Sequence, residues 1–177
     1  MPSFGTKSSA VLTALHPTLR GLMTNVVEHY DITLLEGHRT QLRQNKLYFD
    51  GQSKVSWPDS RHNTTPSMAV DVAPWPIPHD WGNLGRNTGT DRDNAWKERL
   101  KFYQMVAVIN STWVQMQTAN AFAEESHGPQ YIQTNRLTAH RYRIRFGADW
   151  DGDNDYRDQT FDDLVHVEIW PIQDDQA

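Results

Sequence analysis

Two histidines, His62 and His166, stand near aspartates in patterns that suit metal chemistry. The first cluster runs Ser60-Arg61-His62-Asn63-Thr64-Thr65-Pro66-Ser67-Met68-Ala69-Val70-Asp71, a loop histidine followed by an aspartate inside an apolar run. Charged residues are seldom fully buried without a partner, and Zn²⁺ takes imidazole nitrogen and carboxylate oxygen readily. A loop histidine and a strand-end aspartate that caps a turn explain the same residues, and on spacing alone that plainer reading is the stronger. The second cluster, Asp162-Asp163-Leu164-Val165-His166-Val167-Glu168, puts a carboxylate three residues before a histidine that opens an alternating strand. A catalytic zinc keeps three protein ligands and one open position, beside which a carboxylate can act as general base. An acidic turn before a strand with a solvent-facing histidine is an equally good account.

Two more clusters carry chemistry. Glu36-Gly37-His38-Arg39-Thr40 follows a predicted strand. An arginine at a strand end can aim its two-pronged donor at an oxyanion or carboxylate, or simply form a weak surface ion pair. Asp149-Trp150-Asp151-Gly152-Asp153-Asn154-Asp155 spaces its aspartates like the start of a calcium loop. Counted from Asp151, the carboxylates are Asp151, Asp153, Asp155 and Asp162, but Tyr156 stands where such a loop needs glycine. A solvated acidic turn is therefore favoured over a calcium site.

These residues need a scaffold. Leu15, Leu19, Leu22, Met23, Val26, Val27 and Tyr30 recur at helical spacing and predict a helix over 16–29. Asp31 to Gly37 reads as a short strand closed by glycine. Residues 50–92 are rich in Pro, Gly, Ser, Asn and Asp and read as loop, with Val70-Asp71-Val72-Ala73 as a buried strand inside it. Trp96, Leu100, Tyr103, Ala107 and Trp113 predict a second helix over 92–118. Arg141 to Phe146 alternates charged and apolar residues at period two. Val165 to Trp170 alternates as well, with His166 and Glu168 on one face and Val165, Val167 and Ile169 on the other.

The 177 residues suit one domain with a sizeable core. The seven tryptophans imply buried rings or a ring-lined cleft. A net charge of −5 argues against a nucleic-acid partner. The absence of cysteine excludes disulfides, thiolate metal sites and a cysteine nucleophile. No apolar run is long enough for a membrane span, and Met1 to Gly5 shows no signal-peptide pattern. The tail from Gln173 to Ala177 reads as frayed.

Together the clusters resemble the D-alanyl-D-alanine carboxypeptidase and L-alanyl-D-glutamate endopeptidase family of zinc peptidases, above all its phage endolysins. The matching pieces run in family order: Phe4-Gly5, Glu36 to Thr40, Gln44, Ser60 to Asn63, Pro66-Ser67, Ala69 to Pro74, Arg145 to Trp150, and Asp163 to Glu168. Residues 76–140 carry little of the likeness. The resemblance implies an α+β fold, a small single domain over 1–177 with a central antiparallel sheet flanked by helices and zinc in the cleft. It implies His62, Asp71 and His166 as zinc ligands, Asp163 as general base, Arg39 as the group that polarises the scissile carbonyl, and Ser60 and Gln44 as substrate contacts. The interval from His62 to Asp71 is longer than in short-form members and holds Pro66-Ser67 where they have glycine, and the base is Asp rather than Glu.

The activity implied is zinc-dependent cleavage of the peptidoglycan stem between L-Ala and D-Glu, as a phage endolysin in host lysis. The alternatives are D-Ala-D-Ala carboxypeptidase action, a metal-dependent hydrolase of a non-peptide bond, or a non-catalytic cell-wall-binding or phage structural module. Zinc is the expected cofactor, with calcium at the acidic loop as a further candidate, and peptidoglycan the partner of a monomer. The expected setting is synthesis in the host cytoplasm and action on the periplasmic wall after release. The lack of a separate wall-binding domain suggests a Gram-negative target.

Overall fold

The computed structural model describes residues 3–78, 90–131, 138–153, 155 and 163–172, with the side chains of 90–95 left aside. Two helices open the chain, α1 (Thr6–Thr13) and α2 (Pro17–His29), followed by β1 (Ile32–Glu36) and α3 (Gln41–Phe49). A single 3-10 turn, Arg61–Asn63, precedes β2 (Ala69–Pro74). The long α4 (Thr90–His127) leads to β3 (Tyr142–Phe146) and β4 (His166–Pro171). The α+β expectation therefore holds.

Helix α2 begins as its sequence dictates. Pro17 occupies the first turn, where its missing N–H costs nothing, and the His16 ring accepts a hydrogen bond from the Thr18 amide at 3.3 Å. Its buried stripe is Leu19, Leu22, Met23, Val26 and Val27. Helix α4 supplies the facing stripe, with Phe102, Met105, Val106, Ile109 and Trp113 buried. It runs nine residues past the expected end at 118 because polar anchors continue the packing where apolar periodicity stops. Asn120 accepts from the Ala139 amide at 2.9 Å, and Glu124 binds His140 and Arg141.

The four strands form one antiparallel sheet in the order β1-β2-β4-β3. Val70, Val72, Val167 and Ile169 point into the core shared with α2 and α4. Strand alternation sends Asp71, His166 and Glu168 to the opposite face, as the alternation in Val165 to Trp170 predicts. Register then fixes neighbours. Asp71 lies directly opposite His166, and Glu168 directly opposite Arg145. On β1 the pairing slips by one residue between Leu34 and Glu36, so that Glu36 rather than Leu35 faces Asp71. This bulge turns Glu36 onto the polar face.

Helices α1 and α3 have no counterpart among the sequence expectations. α1 buries only Ser8, whose hydroxyl bonds Thr33 and accepts from the Leu34 amide at 3.0 Å. α3 buries only Gln44 and Leu47 and leaves Leu42 and Phe49 exposed. Neither presents the apolar stripe by which a helix is read from sequence.

Candidate metal centre

The polar face of β2 and β4 meets the Arg61–Asn63 turn at one point. His62 Nε2 lies 3.2 Å from His166 Nδ1 and 3.2 Å from Asp71 Oδ1, and His166 Nδ1 lies 3.3 Å from Asp71 Oδ1. The three side chains are buried. The tautomers follow from the other ring nitrogens. His62 Nδ1 lies 2.5 Å from the Gly37 carbonyl, which can only accept, so Nδ1 carries the proton and Nε2 a lone pair. His166 Nε2 donates to Glu168 Oε2 at 3.1 Å, leaving its Nδ1 lone pair facing inward. Two nitrogen lone pairs and a carboxylate oxygen thus converge.

Such a trio needs a positive charge at its centre. A proton supplies one solution. Burial alone would lower the His166 imidazole, but Asp71 and Glu168 hold it up at about 9. Burial alone would raise Asp71, but His62 and His166 hold it well below the usual carboxylate range. A metal ion supplies the other solution, and the geometry fits it. Tetrahedral zinc with ligand bonds of about 2.0–2.1 Å has ligand-to-ligand edges of roughly 3.3–3.4 Å, close to the 3.2–3.3 Å observed. Two imidazoles with one carboxylate suit zinc better than calcium or magnesium, which prefer oxygen donors.

Asp71 and His166 line an open cavity of about 670 Å³, with His62 wholly buried behind them, and Asp163, Arg39, Ser60, Arg61, Arg145, Trp150, Glu168 and Trp170 help to line it. Asp163 hangs from the turn before β4, where its amide donates to the Gly147 carbonyl at 3.0 Å and its own carbonyl accepts from the His166 amide at 3.0 Å. Among the described residues no group hydrogen-bonds its carboxyl, which burial and then the Asp71 charge push upward. Arg39 reaches the trio from beyond β1. It binds Asp71 through the outer carboxylate oxygen, Oδ2, and Glu36 at 2.7 Å. Ser60 lines the cavity and caps the turn by accepting from the His62 amide at 3.3 Å. Gln44 lies behind the wall, wholly buried, where its amide donates to Ser53 and to the Val55 carbonyl.

The acidic loop is arranged differently from the sequence pattern. Carboxylates of Asp149, Asp151 and Asp153 approach one another, with Asp151 and Asp153 exposed. Asp155 is outside that group, and Asp162 lies outside the described residues. Backbone amides already engage two of the side chains, Gly152 N–H on Asp149 and Asp155 N–H on Asp153.

Several contributors carry no role in the sequence reading. Glu168 is 4% exposed; it binds His166, Arg145 and the Trp170 indole N–H together. Glu36 steadies Arg39 and Arg43. Gly37 contributes only a carbonyl. Gly147 allows the Asp163–His166 turn to pass within contact of β3's end. The period-two alternation of β4 was the signal for Glu168; the others follow only from register and loop path.

No protein-family model matches the chain, and no curated protein matches it by sequence. Its fold is similar to that of a solved structure, the L-Ala D-Glu endopeptidase ChiX of Serratia marcescens, with a TM-score of 0.56 at 16% identity. The likeness covers 96% of this chain and 91% of that one and shows the fold. Among the described residues no helix is long and apolar enough to cross a membrane.

Proposed function

We propose that this chain is a zinc-dependent peptidase of bacterial peptidoglycan that cleaves the stem between L-Ala and D-Glu, acting as a phage endolysin. The observation that carries the reading is the triangle of His62 Nε2, Asp71 Oδ1 and His166 Nδ1 at the edge of a cavity that Asp71, His166 and Asp163 line, with an Asp163 carboxyl that no described residue hydrogen-bonds. The shared fold with an enzyme named for L-Ala–D-Glu cleavage supports the substrate. The sequence resemblance supports the endolysin setting.

His62, Asp71 and His166 would hold the metal. Zinc bound there would supply Lewis acidity toward a carbonyl oxygen and lower the pKa of a water toward about 7. Asp163 accepts the proton of the attacking water, a task helped by a carboxyl pushed above its ordinary range. The same carboxyl then delivers that proton to the departing amine nitrogen. Arg39 occupies Asp71 Oδ2 and so leaves Oδ1 as the oxygen turned toward the two histidines, and Arg39 also lines the cavity, where it can meet a carbonyl oxygen that gains negative charge. Trp150, whose ring lies 5.2 Å from that of His166, shields one side of the cluster from water.

Purified peptidoglycan digested with the protein, followed by mass analysis, tests this. The expected products are glycan chains ending in L-Ala and stem peptides beginning at D-Glu. A strong chelator should abolish the reaction and added zinc restore it. Release of terminal D-Ala would instead identify a carboxypeptidase, and intact peptidoglycan would leave only a binding or structural role.

A further inference from the structure

Beyond Glu168 the cavity wall turns cationic. The Trp170 ring is the hub. The Arg61 guanidinium lies 3.2 Å from its centre, with those of Arg145 and Arg143 at 5.1 Å and 5.8 Å. Three guanidinium charges therefore share one indole. The nearby acid is Glu168, and its oxygens are taken. Oε1 receives Arg145 and the Trp170 N–H, while Oε2 receives His166. Arg61 is half-buried and lines the cavity, yet makes no ion pair with a carboxylate among the described residues. Asp59 also borders the cavity, but it is exposed and pairs with none of these arginines.

A stacked guanidinium keeps its in-plane N–H donors free at the edge, which is how arginine binds a carboxylate with both prongs. The ring fixes its plane beforehand, so little side-chain entropy is lost on binding. Position matters as well. His166, Glu168 and Trp170 alternate along one face of β4, spaced about 7 Å per pair of residues. A group held by Arg61 therefore sits one or two residues from a bond cleaved at the trio.

We propose that Arg61, laid on Trp170 beside Arg145, anchors a free carboxylate of the substrate within two residues of the scissile bond. The inference rests on the peptidase reading above and makes it more specific. An uncleaved stem carries two such groups, the α-carboxylate of D-Glu and the carboxylate on the side chain of a following diaminopimelate. Amidation of either removes the charge with little change of shape.

Four synthetic peptides separate the sources: N-acetyl-L-Ala-γ-D-Glu-diaminopimeloyl-D-Ala amide, its single amides at the D-Glu α-carboxylate and at the diaminopimelate side-chain carboxylate, and the double amide. Steady-state kinetics with the zinc-loaded wild type should show KM raised about tenfold or more by one of the amidations, in line with loss of a charge-assisted pair. Arg61→Met should raise KM for the free acid by a similar factor and lose the discrimination between acid and amide, with a much smaller change in kcat. Arg61→Lys should recover part of the preference. Zinc content and melting temperature, measured on each variant, show whether Arg61→Met has merely disturbed the His62 turn. Wild type that cleaves acid and amides alike, or Arg61→Met that still prefers the acid, would overturn the anchor while leaving the peptidase standing. Wild type that cleaves none of the four peptides nor whole peptidoglycan would overturn both.

Discussion

Replacing Gly147 by alanine should damage the site without touching any residue that does chemistry. A Cβ at that position would lie 2.3 Å from the Asp163 carbonyl oxygen and 2.9 Å from the Cβ atoms of both Asp163 and His166. Unstrained non-bonded contacts lie near 3.5–4.0 Å between carbons, so the turn must move by roughly 1 Å. The closest atom is backbone, and no rotamer can relieve it. Two hydrogen bonds tie the pieces together, Gly147 N–H to the His166 carbonyl at 2.8 Å and Asp163 N–H to the Gly147 carbonyl at 3.0 Å. The displacement therefore reaches the proposed base and one proposed ligand at once. Overpacking of this kind costs about 1–3 kcal/mol, and a 1 Å misplacement costs about 100-fold in rate. Peptidoglycan turnover, zinc content and thermal melting of Gly147→Ala measure these effects. Gly128→Ala is the control, since Gly128 has a φ of 80° and open space around it. It should cost stability and spare turnover. Wild-type turnover by Gly147→Ala with unchanged melting would refute the reasoning.

His62→Ala and His166→Ala should each lose zinc and activity together; either variant retaining a full equivalent of zinc by metal analysis would remove that residue from the ligand set. Asp163→Asn should keep its zinc but lose about 10²–10⁴ in kcat, and loss of the metal instead would move Asp163 into the ligand set. Glu168→Gln should weaken zinc about 10- to 100-fold in a chelator competition, because the amide holds the His166 ring less well; unchanged affinity would make Glu168 a partner of Arg145 alone. Burial raises the Glu36 carboxyl, but Arg43 and Arg39 outweigh it and leave it below the ordinary glutamate value. A depressed folded pKa adds stability above the unfolded value that is lost as pH falls through the folded one. Glu36→Gln should accordingly flatten the acid limb of melting below about pH 4.5, and parallel limbs for variant and wild type would count against it.

What the sequence reveals depends on how each element is stabilised. α2, β2, β3 and β4 are held by apolar burial, which leaves a period of 3.6 or 2 in the residues, and their bounds are legible to within a residue or two. α1 and α3 bury few apolar side chains, Val11 and Leu12 packing on the core and Leu47 being buried, and add polar links, Ser8 to Thr33 and Gln44 to the 53–55 loop, so they leave no clear period. The C-terminal part of α4 is held the same way, through Asn120 and Glu124. Gln44 is one such polar link. Its place in the family order suggests substrate contact, and in the fold it is buried with its amide donating to Ser53 and the Val55 carbonyl.

The site shows the same division. His62 and Asp71 lie far in sequence from Asp163 and His166, and spacing alone left each pair with a plainer explanation. One register pair, Asp71 opposite His166, brings two of them together. The β1 bulge then adds Glu36 to the same row, and Arg39 spans Glu36 and Asp71. A one-residue slip of β4 against β2 would turn His166 away from Asp71 and toward the apolar face. Val70, Val72, Val167 and Ile169, wholly buried on that opposite face, resist such a shift. The core thus specifies the register, and the register brings together donors that local sequence leaves apart. Core substitutions that preserve apolar volume should spare zinc binding. A polar residue at Val167 should disturb it in proportion to the register it loosens, read by zinc affinity beside melting temperature. Zinc affinity that stayed at the wild-type level while melting collapsed would show that the turn at His62, rather than the sheet, sets the site.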